Sequence, residues 1–141
     1  MYTPFNPKLD NKVKDKLPKI TKCEHCGGGV NIVKNSEVYG KCYGDYPWIY
    51  KCCSCDSYVG IHRDTDIPLG SLATKEIRDA RKECKPYFFR MIKTLKLSRG
   101  EAYKILASKL KIKVSHCHFG MFDVDMCNKA KVACLELMNE T

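Results

Sequence analysis

Four cysteines in two closely spaced pairs are the residues best suited to chemistry in this sequence. Cys23 and Cys26 form one Cys-x-x-Cys pair, and Cys52 and Cys55 form a second. Two cysteines three positions apart on a tight turn can direct both sulfurs at one metal ion, and four thiolates favour tetrahedral zinc. The spacing therefore predicts one structural zinc ion, because four protein ligands leave no open position for a substrate.

Glycines directly after the first pair support this interpretation. A turn around a sulfur-bound ion often needs a residue with positive φ after its second cysteine, and Gly27 and Gly28 supply one without steric cost. Asp56 follows Cys55 and can tolerate the same conformation. The ribbon is too small to bury much apolar surface, so we expect its fold to depend on the metal.

Other ligand sets fit the same stretch of sequence. Cys53 could replace Cys52, although adjacent strand residues point to opposite faces. Cys42, His25 and His62 are further possible substitutes. An iron–sulfur cluster also uses four cysteines.

The composition predicts a cytoplasmic protein. Of 141 residues, 44% are hydrophobic and 29% are charged, which is ordinary for a soluble globular chain. No run of about 18 apolar residues occurs, and the first residues lack the apolar core of a signal peptide. We therefore expect no membrane partner, and a reducing compartment in which the 10 cysteines serve metal binding or packing rather than disulfides.

The first part of the chain predicts a flexible basic tail followed by a small sheet. Residues 1–20 contain several Pro and Lys, whereas residues 21–62 are rich in Val, Ile, Tyr and Gly. Alternating apolar residues up to Val38, around a turn signal at Asn35, and a second strand near Trp48 predict a β-hairpin or three-stranded sheet. We interpret residues 21–62 as a zinc ribbon.

The remaining chain, residues 63–141, predicts a helical part that forms one unit with the ribbon. Apolar residues at helical spacing indicate a helix over 72–96, kinked or broken at Pro86. Ser98 and Glu101 match a capping box that begins the next helix.

A last helix is predicted after a turn or short strand. Asp123 or Asp125 caps it, and it runs to about Met138. The predicted fold is α+β: a four-cysteine zinc ribbon, built as a β-hairpin, packed on a small helical bundle.

Positive charge is concentrated between residues 75 and 113. This segment has thirteen Lys and Arg against four Asp and Glu, a net +9, while the whole chain is also +9. Such segregation suggests a polyanionic partner, although a solvated helix face is the simpler alternative. The predicted nucleic-acid-binding residues lie on the 72–96 helix: Arg78, Arg81, Lys82, Lys85, Arg90, Lys93 and Lys96. Ribbon aromatics could stack on bases or form the ribbon's own core: Tyr43, Tyr46, Trp48 and Tyr50.

The order of several segments resembles a family of small phage and prophage proteins described as a zinc-finger-containing domain of unknown function. The matching segments are CEHC, WIYKCCSC, YVGIH, PLGSLA, AYKILA and CHFGMFD. The resemblance covers the chain from Cys23 to Cys134. It implies zinc at the two cysteine pairs, a viral or prophage origin, and one domain that joins ribbon and helices. Lys85 stands where the family is expected to have His, which weakens any reactive site built with His62.

These observations lead to three hypotheses on function. We expect a zinc-binding phage-type accessory protein, not an enzyme, that binds DNA or RNA through its basic helical surface. The alternative is a phage effector that docks on a host protein, such as polymerase or a defence factor, in the host cytoplasm. A second alternative is a metal-dependent hydrolase with a second site at His62, His116, His118 and Asp123.

Overall fold

The computed structural model describes residues 16–139. The described chain divides after Lys75 into two compact units. Most of the predicted tail, residues 1–15, lies outside the described residues. Of the described part of this segment, Lys19 Nζ lies 2.8 Å from the Asp66 carboxylate, and Ile20 packs against the core of the first unit.

The first unit is built on a three-stranded antiparallel sheet in the order β1-β2-β3. The strands are β1 Val30–Lys34, β2 Trp48–Cys52 and β3 Tyr58–Gly60. Val30 pairs with Cys52 at one end of the β1–β2 ladder, and Lys51 pairs with Tyr58 on the other side of β2. This register places Cys52 at the end of the central strand, directly before the turn that carries Cys55.

The prediction that Val38 belongs to the alternating strand pattern is wrong. It lies in a short helix, α1 Ser36–Tyr39, within the β1–β2 connection. The buried Asn35 explains the difference, because its amide donates to the Tyr43 carbonyl oxygen at 3.0 Å and accepts from the Tyr43 N–H at 3.1 Å. The side chain thus substitutes for backbone pairing, and the chain can leave the sheet.

The core of the first unit is small and includes two of the paired cysteines. One cluster of its buried residues consists of Cys23, Val30, Trp48, Tyr50, Cys52, Val59, Ile61 and Leu72. The core of so small a unit contributes only a few kcal/mol, and natural proteins of this size often add a metal or disulfides. The first unit therefore fits the prediction of a metal-dependent fold.

The second unit consists of three helices. Their bounds are α2 Lys75–Leu95, α3 Arg99–Leu110 and α4 Val124–Asn139. Of the two alternatives predicted at Pro86, a kink or a break, the break is wrong, because α2 continues through this residue. Pro86 is exposed, so the carbonyl that loses its helical partner there can bond to water.

Both predicted helix starts carry side-chain caps. Ser98 Oγ accepts from the Glu101 N–H at 3.1 Å, and the Glu101 carboxylate accepts from the Ser98 N–H at 2.9 Å. At the start of α4, Asp123 Oδ1 accepts from the Met126 N–H at 2.8 Å. The segment between α3 and α4, for which a turn or short strand is predicted, forms two 3-10 turns, Val114–His116 and Phe119–Met121.

The helical unit has its own apolar core. Phe88, Met91 and Leu106 are fully buried, and Phe119 packs against Phe88 with ring centroids 5.2 Å apart. The predicted α+β class is confirmed, with a small antiparallel sheet and four helices among the described residues. None of these helices combines the length and apolarity that crossing a bilayer requires.

Candidate metal centre

The two cysteine pairs come together at one point of the first unit. The Sγ atoms of Cys23, Cys26, Cys52 and Cys55 all lie within 4.8 Å of one another. Cys23 Sγ is 3.7 Å from Cys55 Sγ, and Cys26 Sγ is 3.4 Å from Cys52 Sγ. Four sulfurs at about 2.3 Å from a tetrahedral zinc ion stand roughly 3.8 Å apart. The sulfur positions therefore fit a tetrahedral zinc site, with each contact joining one cysteine from each pair.

Backbone N–H groups surround the sulfurs. In the first pair, the His25 N–H points at Cys23 Sγ and the Gly28 N–H at Cys26 Sγ, both at 3.4 Å. In the second pair, the N–H groups of Ser54 and Cys55 point at Cys52 Sγ at 3.3 and 3.4 Å. Such donors stabilise thiolates, which is the form that binds metal.

The glycines after the first pair have two different roles. Gly27 has φ of +79°, as predicted for a turn that closes around a sulfur. Gly28 is needed for close approach instead, since a Cβ there would lie 2.7 Å from Ser54 Oγ and 3.2 Å from Cys52 Sγ. The expectation for Asp56 is wrong, because Asp56 is not among the positive-φ residues. Its carboxylate accepts from the Lys75 N–H at 3.2 Å, at the first residue of α2.

The environment of the thiols differs across the cluster. Cys23 and Cys52 are buried, Cys55 is half-buried and Cys26 is exposed. Cys55 Sγ lies 3.1 Å from Ser57 Oγ, and this hydroxyl, followed by the Ser57 backbone, lowers the pKa of Cys55 to about 6.

Cys26 shows the opposite shift. The Gly28 N–H lowers the pKa of Cys26, but the neighbouring thiols, Cys52 foremost, outweigh it and raise the pKa to about 12. Crowded sulfurs retain protons because their negative charges repel, and a bound dication reverses that balance. The cluster is therefore suited to exchange protons for a metal cation.

The alternative ligands lie outside this cluster. Cys42 and Cys53 are exposed, and neither belongs to the group of converging sulfurs. The His25 ring Nε2 lies 2.8 Å from the Leu72 carbonyl oxygen, so its ring bonds to backbone. The backbone of His62 shapes a turn, its carbonyl accepting from the Thr65 hydroxyl at 2.8 Å, and burial lowers the pKa of its ring.

The sequence model of a protein family described as a zinc-finger-containing domain matches residues 19–137. The chain belongs to this zinc-finger-containing family. The match spans both cysteine pairs, α2, α3 and α4 as far as Leu137. The four-cysteine cluster of this family member fits one structural zinc ion. No curated protein and no solved structure matches the chain.

The residues of the predicted second site that lie in the second unit do not converge on one point. Within residues 16–139, the four-cysteine cluster is the one group of three or more potential metal ligands that converge. His116 is exposed at the end of a 3-10 turn, His118 packs near Tyr103 with ring centroids 5.9 Å apart, and Asp123 caps α4. His116 ends one 3-10 turn and His118 directly precedes the next, so the two rings do not share the face of a strand.

A second group of cysteines serves packing. The four lie buried in the helical core: Cys84, Cys117, Cys127 and Cys134. Burial raises the pKa of Cys117 to about 11 and that of Cys134 to about 12. These two thiols therefore stay protonated at neutral pH, as structural cysteines do.

The predicted nucleic-acid-binding residues divide by exposure. Five of them are exposed on the second unit: Lys82, Lys85, Arg90, Lys93 and Lys96. Arg78 is half-buried. Arg81 is only 8% exposed, and its Nε donates to the Phe122 carbonyl oxygen at 2.8 Å. The low exposure and this bond place Arg81 in the helical core, where it offers little surface to a partner.

The aromatic residues of the sheet are mostly core. Trp48 and Tyr50 are buried, and the half-buried Tyr46 donates its hydroxyl to the Thr65 carbonyl oxygen at 2.7 Å. Tyr43 is exposed, with Lys41 Nζ 5.2 Å from its ring centroid. Of the predicted stacking residues, Tyr43 alone presents its ring to solvent.

Two residues near the candidate sites were not predicted from the sequence. Ser57 lowers the pKa of Cys55 and follows this last ligand by two positions. That spacing is the only feature of the sequence that points to it. Phe89 is 47% exposed between the cations of α2. Its signal is helical spacing, four residues after Lys85 and four before Lys93.

Proposed function

We propose that this chain is a zinc-binding accessory protein that binds nucleic acid through α2, with the zinc ion holding the first unit in its fold. The observation that carries the proposal is a row of cations along one face of α2. We call it the basic row, and it consists of four residues of α2 and one that directly follows the helix with φ of +53°: Arg78, Lys82, Lys85, Lys93 and, after the helix, Lys96. Successive members are three or four residues apart, except for the eight-residue step from Lys85 to Lys93.

The geometry of the basic row suits a phosphate backbone. Residues at these spacings stay on one side of a helix, and the fifteen positions from Arg78 to Lys93 span about 22 Å at 1.5 Å per residue. This length covers roughly six or seven nucleotides of a strand at 3.4 Å each. The row faces away from the core, because the buried residues Ile77, Cys84 and Phe88 occupy the other side of the helix.

One acidic residue of α2 is paired away from the row. Glu83 lies on another side of α2, where its carboxylate is 3.1 Å from Lys131 Nζ. Lys131 Nζ also lies 4.9 Å from the centroid of Tyr87, and Arg90 Cζ lies 5.3 Å from the same centroid. Arg90 thus stands beside the row rather than in it, and it extends the positive surface around the helix.

The cellular setting belongs to the same proposal. A thiolate metal site and six further cysteines need a reducing compartment, which supports the cytoplasm. The sequence resemblance to phage and prophage proteins supports a host cytoplasm and an accessory role.

The test compares two double charge reversals with equal change in net charge. Lys82→Glu with Lys93→Glu removes the centre of the basic row, whereas Lys113→Glu with Lys129→Glu changes exposed lysines outside it. We expect the row variant to lose binding to DNA and RNA oligonucleotides at 50 mM salt and the control to retain most of it. Equal losses in both variants would contradict a specific surface.

Affinity capture from lysate separates this proposal from docking on a host protein. Partners that bind through nucleic acid leave the chain after nuclease treatment. A stoichiometric protein complex that survives nuclease and does not depend on the basic row would favour the host-protein alternative.

A further inference from the structure

Phe89 interrupts the basic row with an exposed aromatic ring. It is 47% exposed, and no other large apolar residue of α2 is exposed among those described. Phe89 does not belong to the apolar core of the helical unit, in contrast to its neighbour Phe88, which is fully buried. The ring therefore offers an apolar aromatic surface among the cations of the basic row.

Phe89 lies at the midpoint of the eight-residue gap between Lys85 and Lys93, where the basic row has no cation. Lys85, Phe89 and Lys93 are four residues apart, so consecutive side chains lie about 6 Å apart along the helix. A cation therefore stands on each side of the ring. This alternation of positive charge and an aromatic surface matches a strand that presents phosphates and bases in turn.

The ring is also held in place by its neighbours. Arg99 Cζ lies 5.5 Å from the Phe89 centroid, and the Phe88 ring meets Phe89 edge to face at 5.9 Å. Arg99 brings a further cation to the ring, which adds to the attraction for a phosphate. A ring already fixed by such contacts loses little conformational entropy on binding.

We infer, resting on the function proposed above, that the partner of the basic row is single-stranded nucleic acid and that one of its bases stacks on Phe89. In a duplex the base faces are covered by their neighbours, so a protein ring cannot stack on them without unstacking the helix. In a single strand the faces are available, and the cations on both sides of Phe89 hold the adjoining phosphates.

Two other partners fit the same surface less well. A second copy of this chain would bring its own basic row against the first, and like charges would repel. An anionic membrane needs a wide apolar helix face, whereas α2 exposes one phenyl ring among cations and buries its other large apolar residues fully or in part.

The experiment measures binding of the full-length, zinc-loaded chain to a 15-nucleotide DNA strand, the same sequence as RNA, and the 15-base-pair duplex. The variants are Phe89→Ala, Phe89→Trp and, as a matched control, Val132→Ala, which shortens another exposed apolar side chain. We expect Phe89→Ala to weaken single-strand binding about 5- to 150-fold and leave the salt dependence unchanged. The affinity of Phe89→Ala for the duplex should equal that of wild type. Phe89→Trp and Val132→Ala should bind all three oligonucleotides with wild-type affinity.

A spectroscopic readout tests the stacking itself. In Phe89→Trp, a base stacked on the new indole should quench its fluorescence on adding single strand, and the buried Trp48 supplies the unchanging background. Circular dichroism confirms that each variant is folded before binding is compared.

The outcomes are distinguishable. Equal single-strand affinity of wild type and Phe89→Ala, with loss only in the charge reversal, would overturn the inference and leave the proposed function standing. No binding of wild type to any oligonucleotide would overturn both. Phe89-dependent binding to vesicles of phosphatidylserine, or Phe89-dependent dimers in sedimentation, without preference for single strands, would also overturn the inference.

Discussion

Gly28 and Ser54 approach each other so closely that there is no space for a β-carbon between them. An added Cβ at Gly28 would lie 2.7 Å from Ser54 Oγ and 2.8 Å from Ser54 Cβ. These residues belong to the turns of the two cysteine pairs. Their contact therefore holds one turn against the other and brings the four sulfurs into one cluster.

Gly28→Ala should destabilise the first unit and weaken its hold on zinc. The overlap with Ser54 Cβ cannot be relieved by rotating a side chain, so we expect a cost on the order of 1–3 kcal/mol in the free energy of unfolding. Urea denaturation of the zinc-loaded chain measures it. Gly29→Ala is the matched control, because its Cβ would meet only Cys53 Sγ at an ordinary 3.7 Å; equal effects in both would refute the steric explanation.

Neighbouring cysteines provide a sharp test of the ligand set. Cys52→Ser removes a sulfur of the cluster, whereas Cys53→Ser changes an exposed thiol outside it. Elemental analysis should find one zinc per chain in wild type and Cys53→Ser, and far less in Cys52→Ser. The interpretation fails if Cys53→Ser is the variant that loses the metal.

Arg81 should prove structural although it lies beside nucleic-acid-binding candidates. Arg81→Ala leaves the buried Phe122 carbonyl without its 2.8 Å donor, and we expect a loss of about 1–3 kcal/mol in the free energy of unfolding. Lys82→Ala, on the exposed face, should stay within about 0.5 kcal/mol of wild type. Thermal denaturation checks both, and a harmless Arg81→Ala would show that the bond contributes nothing.

The cap of α3 predicts a further loss of stability. Ser98→Ala removes the hydroxyl that accepts from the Glu101 N–H, and an N-cap contributes about 0.5–2 kcal/mol. Ser108→Ala, within the same helix, is the control and should be neutral or slightly stabilising, since Ala has the higher helix propensity. Urea denaturation at pH 7 measures both variants, and equal stabilities for them would contradict the cap.

The same cap predicts a pH dependence with a definite sign. The Ser98 N–H, and after it the Ser98 hydroxyl, lowers the pKa of Glu101 below its ordinary value of 4.5. The folded chain therefore favours the carboxylate, and this stabilisation is present above pH 4.5 and is lost as the pH falls through the lower folded value. The stability difference between wild type and Glu101→Ala should shrink over that range, and an NMR titration of Glu101 measures its pKa directly. A difference that grows on acidification would contradict the assignment.

Features set by local chemistry could be predicted from the sequence. The spacing of Cys23 and Cys26, with glycine next to them, contains nearly all the information that a sulfur-lined turn needs. The Ser98 and Glu101 cap is equally local, because both partners lie within one helical turn. The α+β class followed from a change of apolar period near residue 70.

Features set by tertiary contacts could not be predicted from the sequence. Arg81 lies four residues after Ile77 and three before Cys84, on the apolar side of α2, but its charge predicted an exposed side chain. Its burial is explained by the bond to the Phe122 carbonyl, which is forty-one positions away in the sequence. Pro86 is tolerated in a continuous helix because this side of α2 is exposed to water, which can bond to the carbonyl that loses its helical partner. Val38 left the sheet because Asn35 pairs with Tyr43 through its side chain.

One ligand of the zinc cluster differs from the rest in its access to the surroundings. Cys23 and Cys52 are sealed in the core, while Cys26 is open to water. A chelator or a peroxide will meet Cys26 first, so metal release should begin by detaching that sulfur. The chain would then lose its ion from one defined side, and the speed of zinc exchange in a cell would depend on how well that single thiolate is shielded.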